Sequence, residues 1–391
     1  MFRNGLVRMV LALIVLVITL GTRGQAAPND RPNPPRIVLD GPEEIVFDPK
    51  HDACDRHDVP DVPPRAYRDA AGNVRMFALH FENRALVGPS LDALKPDCTV
   101  VFRGSGSADP AAYDDRSWIT ATWTGDGRII HALVHHEYQA QAHPGRCAFK
   151  DYMACWFNTV LAARSGDGGQ SFVKAARPVV ASAPFPQTVE QGRHRGFFNP
   201  SNIVSDGVWH YMLASTTGWK GQDSGVCLFR TDTIADPSRW HAFDGTGFTI
   251  RHSDPYRGKT DTPPCMTLAP FPAPVGSVTR HTPSGQWIAV FQASQDRQRF
   301  PVAGIYAAAS RDLRTWSEPR LVMATKTLYD NACGADYLNS YPTLIDRASA
   351  SRNFETTGAS ADLYLSRMRV EGCNHTGDRV LVRMKVQIGV E

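Results

Sequence analysis

Hydrophobic positions along this chain alternate in short runs instead of recurring every three or four residues, which is the period-two signature of half-buried strands. The runs stop at Gly, Asp, Asn or Pro. Tight turns at Ala71-Gly72-Asn73, Gly125-Asp126-Gly127, Ser205-Asp206-Gly207 and Ser284-Gly285 suit hairpins, because Gly and Asn accept positive φ. An order repeats: strand, turn, strand, loop, strand, then a turn carrying Asp and an aromatic. Laid out as four-stranded units, the series starts near Arg65, Trp118, Asn199, Met266 and Tyr341, with second strands at 74–82, 128–137, 208–215, 286–293 and 362–369. It predicts an all-β β-propeller of five blades, each of four antiparallel strands. The fifth unit lacks an outer strand after 380–386, and the segment 44–47 is expected to complete it, closing the ring and removing a free sheet edge.

The start of the chain changes the picture. Arg3 and Arg8 precede an apolar stretch from Met9 to Leu20, and small residues follow at Gly24, Ala26 and Ala27, the three-part pattern of a secretory signal peptide over 1–26. The apolar stretch is shorter than the roughly 20 residues a spanning helix needs. Residues 27–43 read as a Pro-rich linker and 44–391 as one propeller domain. Cleavage removes Arg3, Arg8 and Arg23, which brings the formal charge from +3 to zero. A neutral chain carries no footprint for nucleic acid or an anionic membrane, so a secreted or periplasmic monomer without membrane insertion is expected. Eight cysteines in an exported chain predict disulfides. Cys147 and Cys155 are close enough in sequence to staple one loop. Asn374-His375-Thr376 is formally a glycosylation acceptor.

Antiparallel blades bring the start of each first strand to the same face as the end of each second strand. First-strand starts offer Asp61, Arg65, Asp114, Asp115, Arg116, Asn199 and Tyr341; second-strand ends offer His80, Glu82, His135, His136, Glu137, Trp219 and Asp296. Leu133, His135 and Glu137 alternate onto one face, which makes Glu137 the leading acid/base candidate. Asp61 is stiffly mounted among Pro60, Pro63 and Pro64, and Asp115 opens the second unit. Asn199, Asn202 and Trp219 suit a sugar, since amides pair with hydroxyls and rings stack on C–H faces. The acidic run Asp48, Asp52, Asp55, Asp58 and Asp61 could take Ca²⁺ but lacks EF-hand spacing, and no cofactor is expected. No G-x-S-x-G elbow or phosphate-cradling loop exists.

One turn is more specific. Ser165-Gly166-Asp167-Gly168-Gly169-Gln170-Ser171-Phe172 fits S-x-D-x-G-x-S/T-W/F, with a shortened version at 310–316 and a weaker one at 236–240. It resembles the Asp-box (BNR repeat) of sialidases, and the blade rhythm is similar to five-bladed arabinanase-like glycosidases. That resemblance implies a channel-mouth site using carboxylates from different blades. The expected activity is a secreted glycoside hydrolase in which Glu137 protonates the leaving oxygen and Asp61 or Asp115 activates water or attacks. Carboxyls about 5 Å apart would retain configuration and about 6.5–9.5 Å would invert. Arg65, His80, His135, Arg195, Asn199, Asn202, Trp219 and Tyr341 would hold the glycan. A non-catalytic carbohydrate- or protein-binding propeller, and a sialidase-type exo-glycosidase using Tyr341 with Arg65, Arg195 and Arg367, are the alternatives. In the latter, Arg65-Ala66-Tyr67 stands where sialidases carry R-I-P.

Overall fold

A computed structural model describes residues 32–258 and 261–389. The signal peptide read at 1–26 lies outside the described residues. Strands dominate, and the one α-helix among the described residues is the four-residue turn Pro49–Asp52. No described helix is long and apolar enough to cross a membrane.

The N-terminal strand is β1 (Arg36–Phe47). A first meander follows: β2 (Pro60–Arg68), β3 (Val74–Leu79), β4 (Leu86–Gly88) and β5 (Lys95–Pro96). The second runs β6 (Arg116–Trp123), β7 (Ile130–Gln139), β8 (Trp156–Ser165) and β9 (Val173–Ala181). The third holds β10 (Arg195–Phe198), β11 (Val204–Ser205), β12 (His210–Thr216), β13 (Gly225–Thr231), β14 (His241–Phe243) and β15 (Phe248–Arg251). The fourth is β16 (Val275–His281), β17 (Gln286–Ala293), β18 (Gly304–Ser310) and β19 (Arg320–Ala324). Last come β20 (Tyr337–Ile345), β21 (Thr356–Thr357), β22 (Ser360–Glu371) and β23 (Asn374–Gly389). Here β1 pairs antiparallel with β23, so the sheet order is β1-β23-β22-β20.

The N-terminal strand therefore does complete the last sheet, but it begins at Arg36, inside the stretch read as linker. Its Ile-Val-Leu run was hidden behind the prolines that precede it. The fourth meander likewise starts at Val275 and not near Met266, which lies half-exposed in a Pro-rich loop.

Inner strands of neighbouring meanders meet closely, and glycine permits this at two places. A Cβ on Gly196 (φ +109°) would sit 2.0 Å from the Asn158 carbonyl oxygen, and one on Gly276 would sit 1.8 Å from that of Pro342. Bulges recur at the same level of these strands, between Pro60 and Arg65, Ile119 and Ala121, Val275 and Ser277, and Ser340 and Thr343. A bulge re-aims the following side chains. Asn199 (φ 45°) and Tyr341 (φ 59°) occupy left-handed conformations at this level, and for a bulky residue such as Tyr that is strained.

Apolar side chains pack between adjoining meanders. Leu133 and Val160 of the second meet Phe197, Met212, Phe229 and Trp240 of the third, each burial stabilising by roughly 1.5–3 kcal/mol. In the turn at 165–172, Asp167 accepts the N–H groups of Gln170 and Ser171, both at 3.0 Å, and Phe172 packs edge-on against Phe77. In the shorter turn Asp312 accepts from Arg314 and Thr315, and Leu313 takes φ 64° where the longer turn has Gly168. The cysteines pair as Cys54–Cys98, Cys147–Cys155, Cys227–Cys265 and Cys333–Cys373.

Candidate functional site

Strand β7 supplies the centre of the site. Its register sets Arg116 opposite Glu137 and Trp118 opposite His135, so all four side chains share one face, while His136 faces the other way with Ser117. Glu137 Oε1 lies 2.8 Å from His135 Nε2, and Oε2 accepts from Gln139 Nε2 at 2.6 Å. His135 Nδ1 accepts the Asn199 N–H at 2.8 Å, so the ring proton sits on Nε2 and points at Glu137. The Asn158 amide is 3.0 Å from the same Nε2, and turning it over brings Oδ1, otherwise buried without a partner, to face that proton. Burial opposes ionisation of Glu137. The hydrogen bond from His135, the field of its ring, the Gln139 bond and His194 outweigh this and hold the carboxyl below its ordinary range.

A second carboxylate enters from β2. Asp61 is 3.2 Å from His80 Nε2 and forms an ion pair with Arg379 of β23. Burial again opposes its charge, and His80 and Arg379 prevail, so its pKa is lowered. Two phenols link the carboxylates. Tyr341 is pushed well above its ordinary pKa by burial and then by Asp61, Tyr329 and Glu137. Tyr329 keeps 49% of its surface exposed, yet desolvation of its hydroxyl and then the charges of Glu137 and Asp61 push it up to about 12. The Trp118 ring packs edge-on against both His80 and His135, with centroids 5.3 and 5.6 Å away, so the Asp61–His80 and Glu137–His135 pairs flank one indole. His194, lowered to about 4 by burial, senses Glu137 as well.

Several polar atoms here are buried without a protein partner: His80 Nδ1, Trp118 Nε1, His194 Nε2, Gln292 Nε2 and Arg379 Nε. His57, His80, Phe81 and Trp118 form an aromatic wall beside Asp61, with ring centroids 4.4 to 6.5 Å apart.

Other expected residues serve the scaffold. Asp115 is buried on the face opposite Glu137, accepting from the Gln139 N–H at 2.9 Å and lying 3.0 Å from His143 Nε2; it braces the end of β7. Arg65 is buried where several meanders approach one another. Its donors reach the carbonyls of Thr120, Pro64 and Pro200 and the Thr343 hydroxyl, tying inner strands of four meanders. The void beside it is only about 20 Å³. Asn202 is consumed by the Val278 backbone, donating to its carbonyl and accepting its N–H. Trp219 packs against Phe185 and Phe197. Arg195 donates to the Gly218 carbonyl and Arg367 pairs with Glu43, so Arg65, Arg195 and Arg367 share no common partner. In the acidic run, Asp48 caps the Pro49–Asp52 helix and Asp58 holds Arg84 and two backbone N–H groups.

Arg379, Tyr329, Gln139, Asn158 and His194 were not anticipated. Gln139 continues the alternation of His135 and Glu137 and was legible in principle. Arg379 lies on a third strand and Tyr329 in the β19–β20 loop, where no periodicity points inward.

The fold resembles that of solved structures that include glycoside hydrolases. A family 117 glycoside hydrolase of the marine bacterium Zobellia galactanivorans superposes with a TM-score of 0.53 at 7% identity, over 93% of this chain and 92% of that one. A protein of unknown function from Dyadobacter fermentans DSM 18053 gives 0.50 at 11% identity, over 91% and 99%. An α-L-arabinanase of Cellvibrio cellulosa complexed with arabinohexaose gives 0.46 at 10%, over 85% and 96%. In sequence, no family model and no curated protein matches this chain.

Proposed function

We propose that the protein is an exported glycan-acting hydrolase, its five meanders the blades of a closed propeller and its site the cup that holds Asp61 and Glu137. The observation that carries this reading is a pair of largely buried carboxylates from different meanders, each partnered by a histidine, with the Trp118 ring packed edge-on against both imidazoles. Asp61, fixed by Arg379, is suited to stabilise positive charge developing on a sugar ring. Glu137, partnered by a histidine and an amide, is the proton-transfer group. Its lowered pKa favours a base or nucleophile over the acid role expected from sequence. The two phenols stay protonated and can donate hydrogen bonds to the departing oxygen.

One observation favours a second reading. A glycosidase pair normally keeps one carboxyl protonated, and both carboxyls of this cup are held down. A glycan-binding propeller without turnover has no such requirement. Screening oligosaccharides for product release by the wild type and by Glu137→Gln separates the two. Release that falls about 100-fold or more in the folded variant supports hydrolysis. Binding without release by either protein selects the second reading, and neither binding nor release overturns both.

A further inference from the structure

Away from the cup, a cleft of about 520 Å³ opens between the second and third meanders and is lined by Arg177, Arg251, His252, Asp254 and Arg257. Arg177 belongs to β9 and Arg251 ends β15. Among the described residues, neither guanidinium has a hydrogen-bond or ion-pair partner. Arg257 Nε lies 3.1 Å from Asp254, and Asp236, already bonded to Ser238, is within electrostatic reach of Arg251. Three arginines against two aspartates leave the cleft positive.

The cleft is built rather than incidental. Asp254 accepts from the Tyr113 hydroxyl at 2.7 Å and the Tyr256 N–H at 3.0 Å, and the Tyr256 hydroxyl accepts from Gln187 at 3.0 Å. These bonds pin the loop that carries Arg257. His252, only 6% exposed, lies among the lining residues. Its Nδ1–H donates to the Ser182 carbonyl at 2.8 Å, and its Nε2 has no partner. Burial lowers its pKa to about 4, so at neutral pH Nε2 presents a lone pair. That nitrogen needs a donor, whereas free guanidinium groups need an anion. A bare sulfate satisfies only the arginines. A ligand with an anionic group beside a hydroxyl satisfies both.

We propose that this cleft binds an acidic sugar of a glycan, with Arg177 and Arg251 holding its sulfate ester or carboxylate and His252 Nε2 accepting a neighbouring hydroxyl. The site is separate from the cup and does not depend on turnover there.

The test is calorimetric titration of the mature protein with four probes: a sulfated hexasaccharide, a uronate hexasaccharide, a neutral hexasaccharide and inorganic sulfate. One acidic hexasaccharide should bind about tenfold or more tighter than both the neutral one and sulfate, and which one does so separates the ester from the carboxylate. The Arg177→Ala/Arg251→Ala variant should lose about tenfold or more of that affinity with an unchanged melting temperature, while Glu137→Gln should keep it. Equal affinity for neutral and acidic glycans, sulfate binding as tightly as either acid, or an unaffected double-arginine variant would each overturn the proposal.

Discussion

The backbone N–H of Asn199 donates to Nδ1 of His135 at 2.8 Å, joining the third meander to the second and deciding which imidazole nitrogen faces Glu137. Asn199 reaches this position in a left-handed conformation, φ 45°, so backbone strain in one blade orients a side chain in the next. That bond leaves the proton on Nε2 of His135, which faces Glu137 and is one of the interactions that lower its pKa.

Replacing His135 tests the dependence. Burial is the largest influence on Glu137 and acts upward, so His135→Ala should raise its pKa. Glu137 has a folded pKa below its unfolded one; it stabilises the protein above the unfolded value and loses that effect as pH falls through the folded value. The acid limb of the pH profile for turnover or ligand affinity should move up by about one unit or more in His135→Ala. An unmoved limb would show that His135 does not control Glu137.

Asp61 and Arg379 join β2 to β23, the first meander to the last. Breaking a largely buried pair leaves an uncompensated charge, so Arg379→Ala should destabilise by about 3 kcal/mol. The Asp61→Asn/Arg379→Met double variant should recover part of this, because neither charge remains. Chemical denaturation of the single and double variants measures the coupling; additive losses would deny it.

Arg65 makes its hydrogen bonds to carbonyls and a hydroxyl from four inner strands. Arg65→Met should therefore lower the melting temperature strongly, with a loss on the order of 3 kcal/mol, whereas a substrate-binding role would lower affinity at unchanged stability. Thermal denaturation beside ligand titration distinguishes these outcomes.

Burial raises Glu355 to about 7 despite the Trp123 Nε1 hydrogen bond. Folding then takes up a proton between the ordinary carboxyl value and about 7, and stability falls as pH rises through that window. Glu355→Gln should stabilise the protein at pH 8 by on the order of 3 kcal/mol and have little effect at pH 4. A pH-independent difference between variant and wild type would contradict the shift.

Period-two alternation and antiparallel order were enough to single out Asp61 and His80, and His135 and Glu137, which lie together in pairs, since both are local properties. Parity alone could also have separated Asp115 from Glu137: Asp115 adjoins Arg116, the register partner of Glu137, and so lies on the other face. Asn202 and Arg65 were not legible, because their partners are carbonyls and N–H groups of other meanders, and backbone acceptors leave no trace in side-chain pattern. Tyr329 was hidden for a different reason. Its loop is tied down by the Cys333–Cys373 bridge and by Leu328 N–H to Ser340 Oγ, contacts that no spacing rule announces.

The most direct measurement is a crystal structure of Glu137→Gln soaked with an oligosaccharide that the wild type binds or cleaves. A sugar ring seated between residues 61 and 137, within hydrogen-bond reach of position 137 and of Tyr329 or Tyr341, is the predicted result. A glycan bound elsewhere while the cup holds only solvent would contradict the account.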